Sequence, residues 1–433
     1  MRPIKVGLLG LGVVGGGTWK VLKQNADEIA RRAGCRIEIE AVAVRDVERA
    51  RDLLGEEVWL TDQGLGRVQH PDIDVVVELI GGDTTAKDWV MEAIKQGKHV
   101  VTANKALLAE HGNEIFAAAH KQGVMVAFEA AVAGGIPIIK AMREGLTANR
   151  IQWVAGIING TTNYILSEMR AKGVSFAEAL ADAQSLGYAE ADPTFDIEGV
   201  DAAHKLALLA SLAFGVPVQF DKVHIEGITT LAAEDIGHAE RLGYTVKLLG
   251  ITRAREEGIE LRVHPTLVPN ESMLANVQGA MNAVMVHGDA VGSTVYYGAG
   301  AGELPTASAV VADLVDVARL LNAEHDHRVP YLAFQQDAMA DIPILPMSQV
   351  LSSYYLRLRV VDRPGVLADV AQILAEADIS IESMFQEPAV GGETDIIFLT
   401  HHAQEGAIDV ALEQIRRLDF VRSNMMRLRV EHL

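Results

Sequence analysis

Residues 4–15 read Ile4-Lys5-Val6-Gly7-Leu8-Leu9-Gly10-Leu11-Gly12-Val13-Val14-Gly15. The stretch 4–9 is an apolar run of strand length, and from Val13 the spacing turns helical. Between them the glycines fall into the pattern G-x-G-x-x-G. In a strand–turn–helix that holds a dinucleotide each of the three has its own task. Gly10 permits the tight turn, Gly12 lets a pyrophosphate approach the backbone, and Gly15 lets the helix pack close on the strand. Val13 and Val14 begin the helix, whose free N–H groups and positive dipole end favour a phosphate. Without context the pattern could be a glycine turn that holds no ligand. Its position after a strand, before a helix and at the head of a β–α series is what gives it weight.

That series continues outward. Strands are expected at 37–44, 75–80, 99–102 and 124–128, with helices at 88–98 and 113–122. Strands alternating with helices imply right-handed crossovers and an α/β, Rossmann-type doubly wound parallel sheet over residues 1–135. The rhythm changes after Gly134. Residues 136–302 mix helices with longer strands, such as 259–263, and read as a separate α+β domain. A long apolar helix over 306–321 follows, with Thr306 as its expected N-cap. Residues 322–353, with Pro330, Pro343 and Pro346, read as a linker. The last segment, 354–433, has the element order βαββαβ: strand 354–361, helix 365–377, strands 379–386 and 394–400, helix 405–418 and strand 425–430.

Composition excludes several classes of function. The 433 residues carry a formal charge of −20, which disfavours a nucleic-acid partner. No apolar run reaches the length of a bilayer span, and the early apolar stretch ends in glycines rather than in a cleavage site. A cytoplasmic protein without a membrane partner is expected. Cys35 is the single cysteine, which rules out an intrachain disulfide.

Four places carry candidate chemistry. After the second strand stands Val44-Arg45-Asp46. An arginine there accommodates a 2′-phosphate and an acid binds a 2′-hydroxyl. Arg45 comes first, so NADP is favoured; Asp46 keeps NAD open, and Arg45 could also be a solvated surface residue. The stretch Gly187-Tyr188-Ala189-Glu190-Ala191-Asp192-Pro193-Thr194-Phe195-Asp196 packs three carboxylates around a proline. Just beyond it Asp201 and Lys205 are spaced i, i+4, which puts both on one helix face together with Leu208 and Leu212. Such a pair is often a solvated helix pair. Turned inward, its ammonium can protonate an alkoxide as hydride reaches a carbonyl carbon. Thr102-Ala103-Asn104-Lys105 follows the fourth strand at the sheet edge where ligands bind, so Lys105 faces either an anion or solvent. Asn159-Gly160-Thr161-Thr162-Asn163 is a polar turn that would hold a carboxylate or simply cap a helix. The fourteen histidines show no convincing ligand spacing, and His401-His402 are expected on opposite faces of a strand.

These stretches together resemble the homoserine dehydrogenases, in the monofunctional form with a C-terminal ACT domain. The resemblance lies in GLGVVGGG from Gly10, TANK from Thr102, GIINGTTNYI from Gly156, GYAEADPTFDIEGVDAAHK from Gly187, GAGAGELPTASAV from Gly298 and DRPGVLA from Asp362. It implies reversible NAD(P)-dependent reduction of L-aspartate 4-semialdehyde to L-homoserine. Lys205 resembles the family's proton donor and Asp201 its partner. Glu190, Tyr188, Asp196, Gly160, Thr161 and Lys105 resemble the substrate pocket. Thr102, Lys105 and Gly302 join the glycine loop and Arg45 on the cofactor. The resemblance also implies a monovalent cation, sodium first, at Glu129 and the carbonyls of Val132, Gly134 and Ile136. It makes 136–302 a substrate and dimerisation domain and has helix 303–321 complete the first. For the ACT domain it implies an amino-acid effector, L-threonine first, near Asp362 and Gly365. A homodimer or homotetramer is the implied assembly. The rivals are an NADP-linked dehydrogenase of another amino-acid semialdehyde and a non-catalytic NADP-sensing regulator, which would need none of Asp201, Lys205 and Glu190.

Overall fold

The computed structural model describes residues 2–62, 64, 66, 70–321, 328–422 and 425–433. Its strands are β1 (Ile4–Leu9), β2 (Ile37–Ala43), β3 (Trp59–Thr61), β4 (Val75–Glu78), β5 (His99–Thr102), β6 (Val126–Ala127), β7 (Ile151–Ile157), β8 (His224–Ile225), β9 (Tyr244–Ala254), β10 (Ile259–Pro269), β11 (Met281–Gly288), β12 (Gly292–Ala299), β13 (Leu351–Val361), β14 (Ile381–Gln386), β15 (Glu393–Thr400), β16 (Ala403–Gln404) and β17 (Met426–Val430). The chain forms two compact units. One comprises residues 1–154, 201–223 and 281–341, the other 155–200, 224–280 and 342–433.

In the first unit the sheet order is β3-β2-β1-β4-β5-β6, all parallel. The order reverses direction between β1 and β4, as a doubly wound dinucleotide fold requires. β4 and β5 are buried at every position because a parallel sheet is covered on both faces. The fourth β–α helix, Lys105–Gln122, begins earlier than its apolar spacing suggests. Gly112 reads as a break, yet it sits in the helix with its Cα against the Phe116 ring, where an added Cβ would lie 3.3 Å from the ring. Asn104 caps this helix by accepting the Leu107 N–H at 3.1 Å.

Helix Glu303–Leu320 completes this unit, and its start corrects the expected cap. Gly302, at φ +130°, is the N-cap, and Thr306 is buried one turn inside. Pro305 lies in the first turn, where a missing N–H leaves no hydrogen bond unmade. The helix packs on Val13–Gln24 through Gly17, whose added Cβ would come within 2.6 Å of the Glu303 carbonyl oxygen. The glycine run 15–17 therefore continues beyond the dinucleotide loop as a helix-packing surface. Ala309, Val310, Leu314 and Val317 join Leu8, Val42 and Val77 in one core.

His99 on β5 gives this core a pH dependence. Its Nδ1 accepts the Met125 N–H at 2.9 Å, and burial, with Arg328 adding to it, pushes its pKa down to about 4. The unfolded chain binds a proton here near pH 6.5 and the folded chain resists it. Stability from this group is therefore complete above pH 6.5 and is lost as pH falls toward 4. Chemical denaturation at pH 7.5 and pH 5 should show the loss, and His99→Gln should flatten it; an unchanged slope in the variant would dismiss His99 as the source.

In the second unit six strands run side by side in the order β9-β10-β17-β13-β15-β14. The last four belong to the C-terminal βαββαβ segment, whose helices are Val366–Glu376 and Glu405–Arg416. They pair antiparallel and bury Tyr354, Leu358, Val370, Phe398 and Ile408 in a core of their own. β17 pairs parallel with β10, so the sheet of this segment continues into β9 and β10. β13 starts at Leu351. Of the expected linker, 322–327 lies outside the described residues, and 328–350 carries two 3-10 turns, Gln336–Ala338 and Met347–Gln349. His401 and His402 follow the end of β15 at Thr400 and so are not on opposite faces of that strand.

Charged side chains are buried across this sheet. The Arg262 guanidinium donates to Glu260 at 2.8 Å and to Glu431 at 2.6 Å, and its other nitrogen faces His264 at 2.7 Å. Arg429 donates to Glu226 at 2.7 and 2.9 Å and also to Glu405. Arg357 holds Asp235 in a two-pronged contact at 2.6 and 3.0 Å. Arg262–Glu431, Arg429–Glu226 and Arg357–Asp235 each join the βαββαβ segment to an element outside it. Among the described residues no helix is long and apolar enough to cross a membrane.

Candidate active site

The carboxyl ends of β1, β2, β4 and β5 carry the candidate cofactor residues. Gly10 adopts φ +95°, and an added Cβ would lie 2.8 Å from the Leu79 carbonyl oxygen. A Cβ on Gly15 would lie 2.3 Å from the Gly10 carbonyl oxygen, so only glycine lets the helix sit this close. A Cβ on Gly12 would meet nothing within 4 Å. No protein packing demands glycine there, so the space beside Gly12 fits a pyrophosphate. Val13 is exposed and Val14 half-buried at the start of helix Val13–Gln24, whose cap carries no side-chain hydrogen bond. Arg45 is exposed just past β2. Asp46 next to it is the N-cap of helix Val47–Leu54 and accepts the Arg49 N–H at 3.0 Å. Past β4, Gly81 and Gly82 are both left-handed, a pair the sequence reading passed over. Thr102 points inward and donates to buried Glu78 at 2.6 Å.

Lys105 is the first residue of its helix, and here the structure joins two residues 96 positions apart. The Asp201 carboxylate lies 3.2 Å from Lys105 Nζ through one oxygen and 2.6 Å from Lys205 Nζ through the other. Asp201 and Lys205 are on helix Val200–Phe214, buried as their spacing with Leu208 and Leu212 implies. Lys105 is about one-third exposed, so the pair of ammonium groups is reachable at one end. His204, on the same helix, packs edge-on against Phe220 and is held neutral, its pKa pushed down to about 4 by burial. The result is Lys–Asp–Lys: one buried anion between two cations, with net positive charge. The i, i+4 rule finds half of it. Lys105 is expected at the ligand edge of the sheet, but no local pattern places it beside Asp201.

The second unit assembles the polar turn with the acidic segment. Asn159 caps helix Gly160–Lys172 by accepting the Thr162 N–H at 2.8 Å. Asp196 clamps this turn: it accepts the Asn159 amide at 2.7 Å, and the Thr161 hydroxyl lies 3.0 Å from it and 2.7 Å from the Tyr188 carbonyl. Tyr188 also packs against Tyr164 with the rings tilted and their centroids 4.7 Å apart. Pro193 does more than break a helix, since it is the N-cap of the short helix Thr194–Ile197 that carries Asp196. The Glu190 side chain is exposed, and its carbonyl accepts from Gln184 at 3.0 Å. Gly160, Thr161, Tyr188 and Asp196 are thus brought together, with Glu190 beside them in the chain.

Glu129 opens the 3-10 turn Glu129–Ala131 and is buried. Each of its oxygens accepts a backbone N–H at 2.9 Å, from Ile139 and Lys140, and each keeps a lone pair free of those two bonds. Burial, with Asp313 adding to it, pushes its pKa up to about 7. Ala133 and Gly134 are both left-handed, at φ 54° and 42°, and the Ile136 carbonyl accepts the Ile138 N–H. Among the described residues no three His, Cys, Asp or Glu side chains gather where a metal ion could sit. One carboxylate with a strained carbonyl-rich loop suits a weakly charged hard cation. In the C-terminal segment Gly365, at φ +97°, caps helix Val366–Glu376, and a Cβ there would meet nothing within 4 Å. Asp362 lies three residues before it, with Gln386 at 3.4 Å from its carboxylate.

Comparison with known proteins covers the whole chain. The family profile described as homoserine dehydrogenase matches residues 137–315, that of the homoserine dehydrogenase NAD-binding domain residues 10–129, and that of the ACT domain residues 354–420. The homoserine dehydrogenase of Pseudomonas aeruginosa is 58% identical and that of Neisseria gonorrhoeae 55%, each over 100% of both chains. The crystal structure of a homoserine dehydrogenase from Thiobacillus denitrificans is 62% identical, with TM-score 0.95, over 99% of this chain and 98% of that one. With its dinucleotide loop, its Lys–Asp–Lys group and its C-terminal ACT fold, the chain belongs to the homoserine dehydrogenase family of oxidoreductases.

Proposed function

We propose that the chain interconverts L-aspartate 4-semialdehyde and L-homoserine with NADP in preference to NAD, and that Lys205 is the proton donor. The observation that carries this reading is Asp201 held between Lys105 and Lys205. A buried carboxylate favours the ammonium form of its neighbours, so Lys205 Nζ keeps a proton to give. In the reducing direction that proton goes to the oxygen of the semialdehyde as it becomes an alkoxide. Asp201 orients Nζ, and Lys105, at the exposed end, attracts an anionic ligand. The Gly160–Thr161 turn takes the substrate carboxylate and Glu190 its ammonium, with Tyr188 and Asp196 shaping the turn. When bound at the Gly10–Gly15 loop and Gly302, the nicotinamide supplies or accepts the hydride. Arg45 supports NADP, because Asp46 already spends a carboxylate oxygen on the Arg49 amide.

The same reading assigns residues 1–135 with 303–321 to cofactor, 136–302 to substrate and dimerisation, and 354–433 to regulation by L-threonine near Asp362 and Gly365. It includes a homodimer or homotetramer in the cytoplasm. Steady-state homoserine oxidation with NAD and with NADP, each with and without millimolar threonine, tests the substrate, the cofactor preference and the threonine response. NADP should give the higher kcat/KM, Arg45→Ala should narrow the ratio, and threonine should lower the rate. No turnover of homoserine would end the substrate assignment.

For sodium, Glu129 would supply the carboxylate and Val132, Gly134 and Ile136 the carbonyls. Thermal melts in sodium chloride and in tetramethylammonium chloride at equal ionic strength should differ, with sodium giving the higher Tm. Glu129→Gln should erase the difference; its persistence would move the site elsewhere.

A further inference from the structure

Lys247 lies on β9 and is 1% exposed, among the most deeply buried charged residues described. Its Nζ donates to the side-chain oxygen of Asn163 at 2.9 Å and to the Val277 carbonyl. Asn163 in turn donates to the Val277 and Gly279 carbonyls at 3.1 and 2.8 Å. Among the described residues no carboxylate pairs with Lys247. Burial pushes its pKa down to about 7, and Arg170 adds to that. A lysine buried without a counter-ion is costly, and an apolar residue would fill the place at less cost. What the lysine does there is fix the amide of Asn163, which sits in the first turn of helix Gly160–Lys172, three residues after Gly160.

The strand beneath it is well placed to hold that position. Lys247 is in register with Thr266 on β10, Thr266 with Arg429 on β17, and Arg429 with Tyr354 on β13. Paired residues on neighbouring strands share a face, so the four form one buried row across four strands. Arg429 is tied at 0% exposure to Glu226 and Glu405, which makes the row stiff.

We propose that Lys247 is a positioning residue for substrate: through Asn163 it holds the first turn of helix Gly160–Lys172 against the 277–279 loop, and so sets where the Gly160–Thr161 turn meets the substrate carboxylate. This rests on the reading of that turn as a substrate contact. The hydrogen bonds of Lys247 go to Asn163 and to the Val277 carbonyl, on the helix and loop that carry the turn. Its loss should therefore act on homoserine binding and spare the other kinetic constants.

Lys247→Met, Asn163→Ala, the double variant and Thr161→Val are compared by steady-state kinetics and thermal melting. Lys247→Met is expected to raise KM for homoserine about tenfold, with kcat within about threefold, the pattern of a lost binding interaction. KM for NADP should not change. Asn163→Ala should show the same shift, and the double variant no more than either, because one link is being cut twice. An unchanged homoserine KM in folded Lys247→Met, an additive double variant, or an equal rise in both KM values would overturn the inference. If Lys247→Met does not fold, Asn163→Ala, which keeps the lysine, decides: an unchanged homoserine KM overturns it. Thr161→Val separates the two readings. If it leaves homoserine KM alone, the turn is no substrate contact and both fall. If it raises KM while Lys247→Met does not, only the role of Lys247 falls.

Discussion

Lys205→Ala is expected to lower kcat for homoserine oxidation about a thousandfold, within the range that a positioned general acid–base contributes. That is about 4 kcal/mol of barrier. The change removes the proton carrier and leaves Asp201 facing Lys105 at 3.2 Å, so the buried carboxylate keeps a cation beside it. Folding should survive for that reason, and the melting curve of the variant checks it. Asp201→Asn makes a useful contrast. It keeps Lys205 but removes the anion between two ammonium groups, which then repel each other and hold their protons less tightly. Its loss should be smaller than that of Lys205→Ala at low pH and grow as pH rises. A folded Lys205→Ala enzyme with kcat within tenfold of the parent would end the assignment of Lys205.

The largest effect on stability is expected at Arg262, far from that chemistry in sequence. Arg262→Met removes the one partner shared by Glu260 and Glu431, both buried. Leaving a buried charge without its partner costs about 3–5 kcal/mol. Glu260 keeps Arg255 and Glu431 keeps Arg253, so the lower end of that range applies. In a protein of 433 residues the change corresponds to a fall in Tm of about 3 °C. Calorimetry measures it directly. A loss below about 1 kcal/mol would mean that these carboxylates take up protons or find water, and that Arg262 is not what keeps them in the interior.

The same residues show where the sequence was legible and where it was not. The strand–turn–helix at Ile4–Gly15 was readable because its glycines are demanded by backbone geometry, which is local. β5 was readable because a parallel strand buried on both faces is a plain apolar run. The order βαββαβ was readable from turn residues and changes of period. β10 misleads. Glu260-Leu261-Arg262-Val263-His264 alternates polar and apolar, the signature of a strand with one wet face. All five are buried, because the polar face is covered by side chains that include Glu431, more than 160 residues away. Alternation reports chemistry on a face, and it does not report what covers that face. The same limit hid Lys105 beside Asp201. The cap at Gly302 was missed for another reason: a proline in the first turn looks like an interruption until the helix is seen to begin before it.

Helix Glu303–Leu320 has a consequence for how the protein is made. It supplies part of the core under β1, β2 and β4, and it lies on the glycine face of helix Val13–Gln24. The segments of this unit are separated along the chain, the last being residues 281–341. During synthesis the opening β–α elements therefore leave the ribosome long before the helix that covers them. At roughly 5–20 residues per second this wait is tens of seconds, with an apolar groove open. The nascent chain is an expected chaperone client over that interval, and the dinucleotide loop gains its final backing only when about three-quarters of the chain is made.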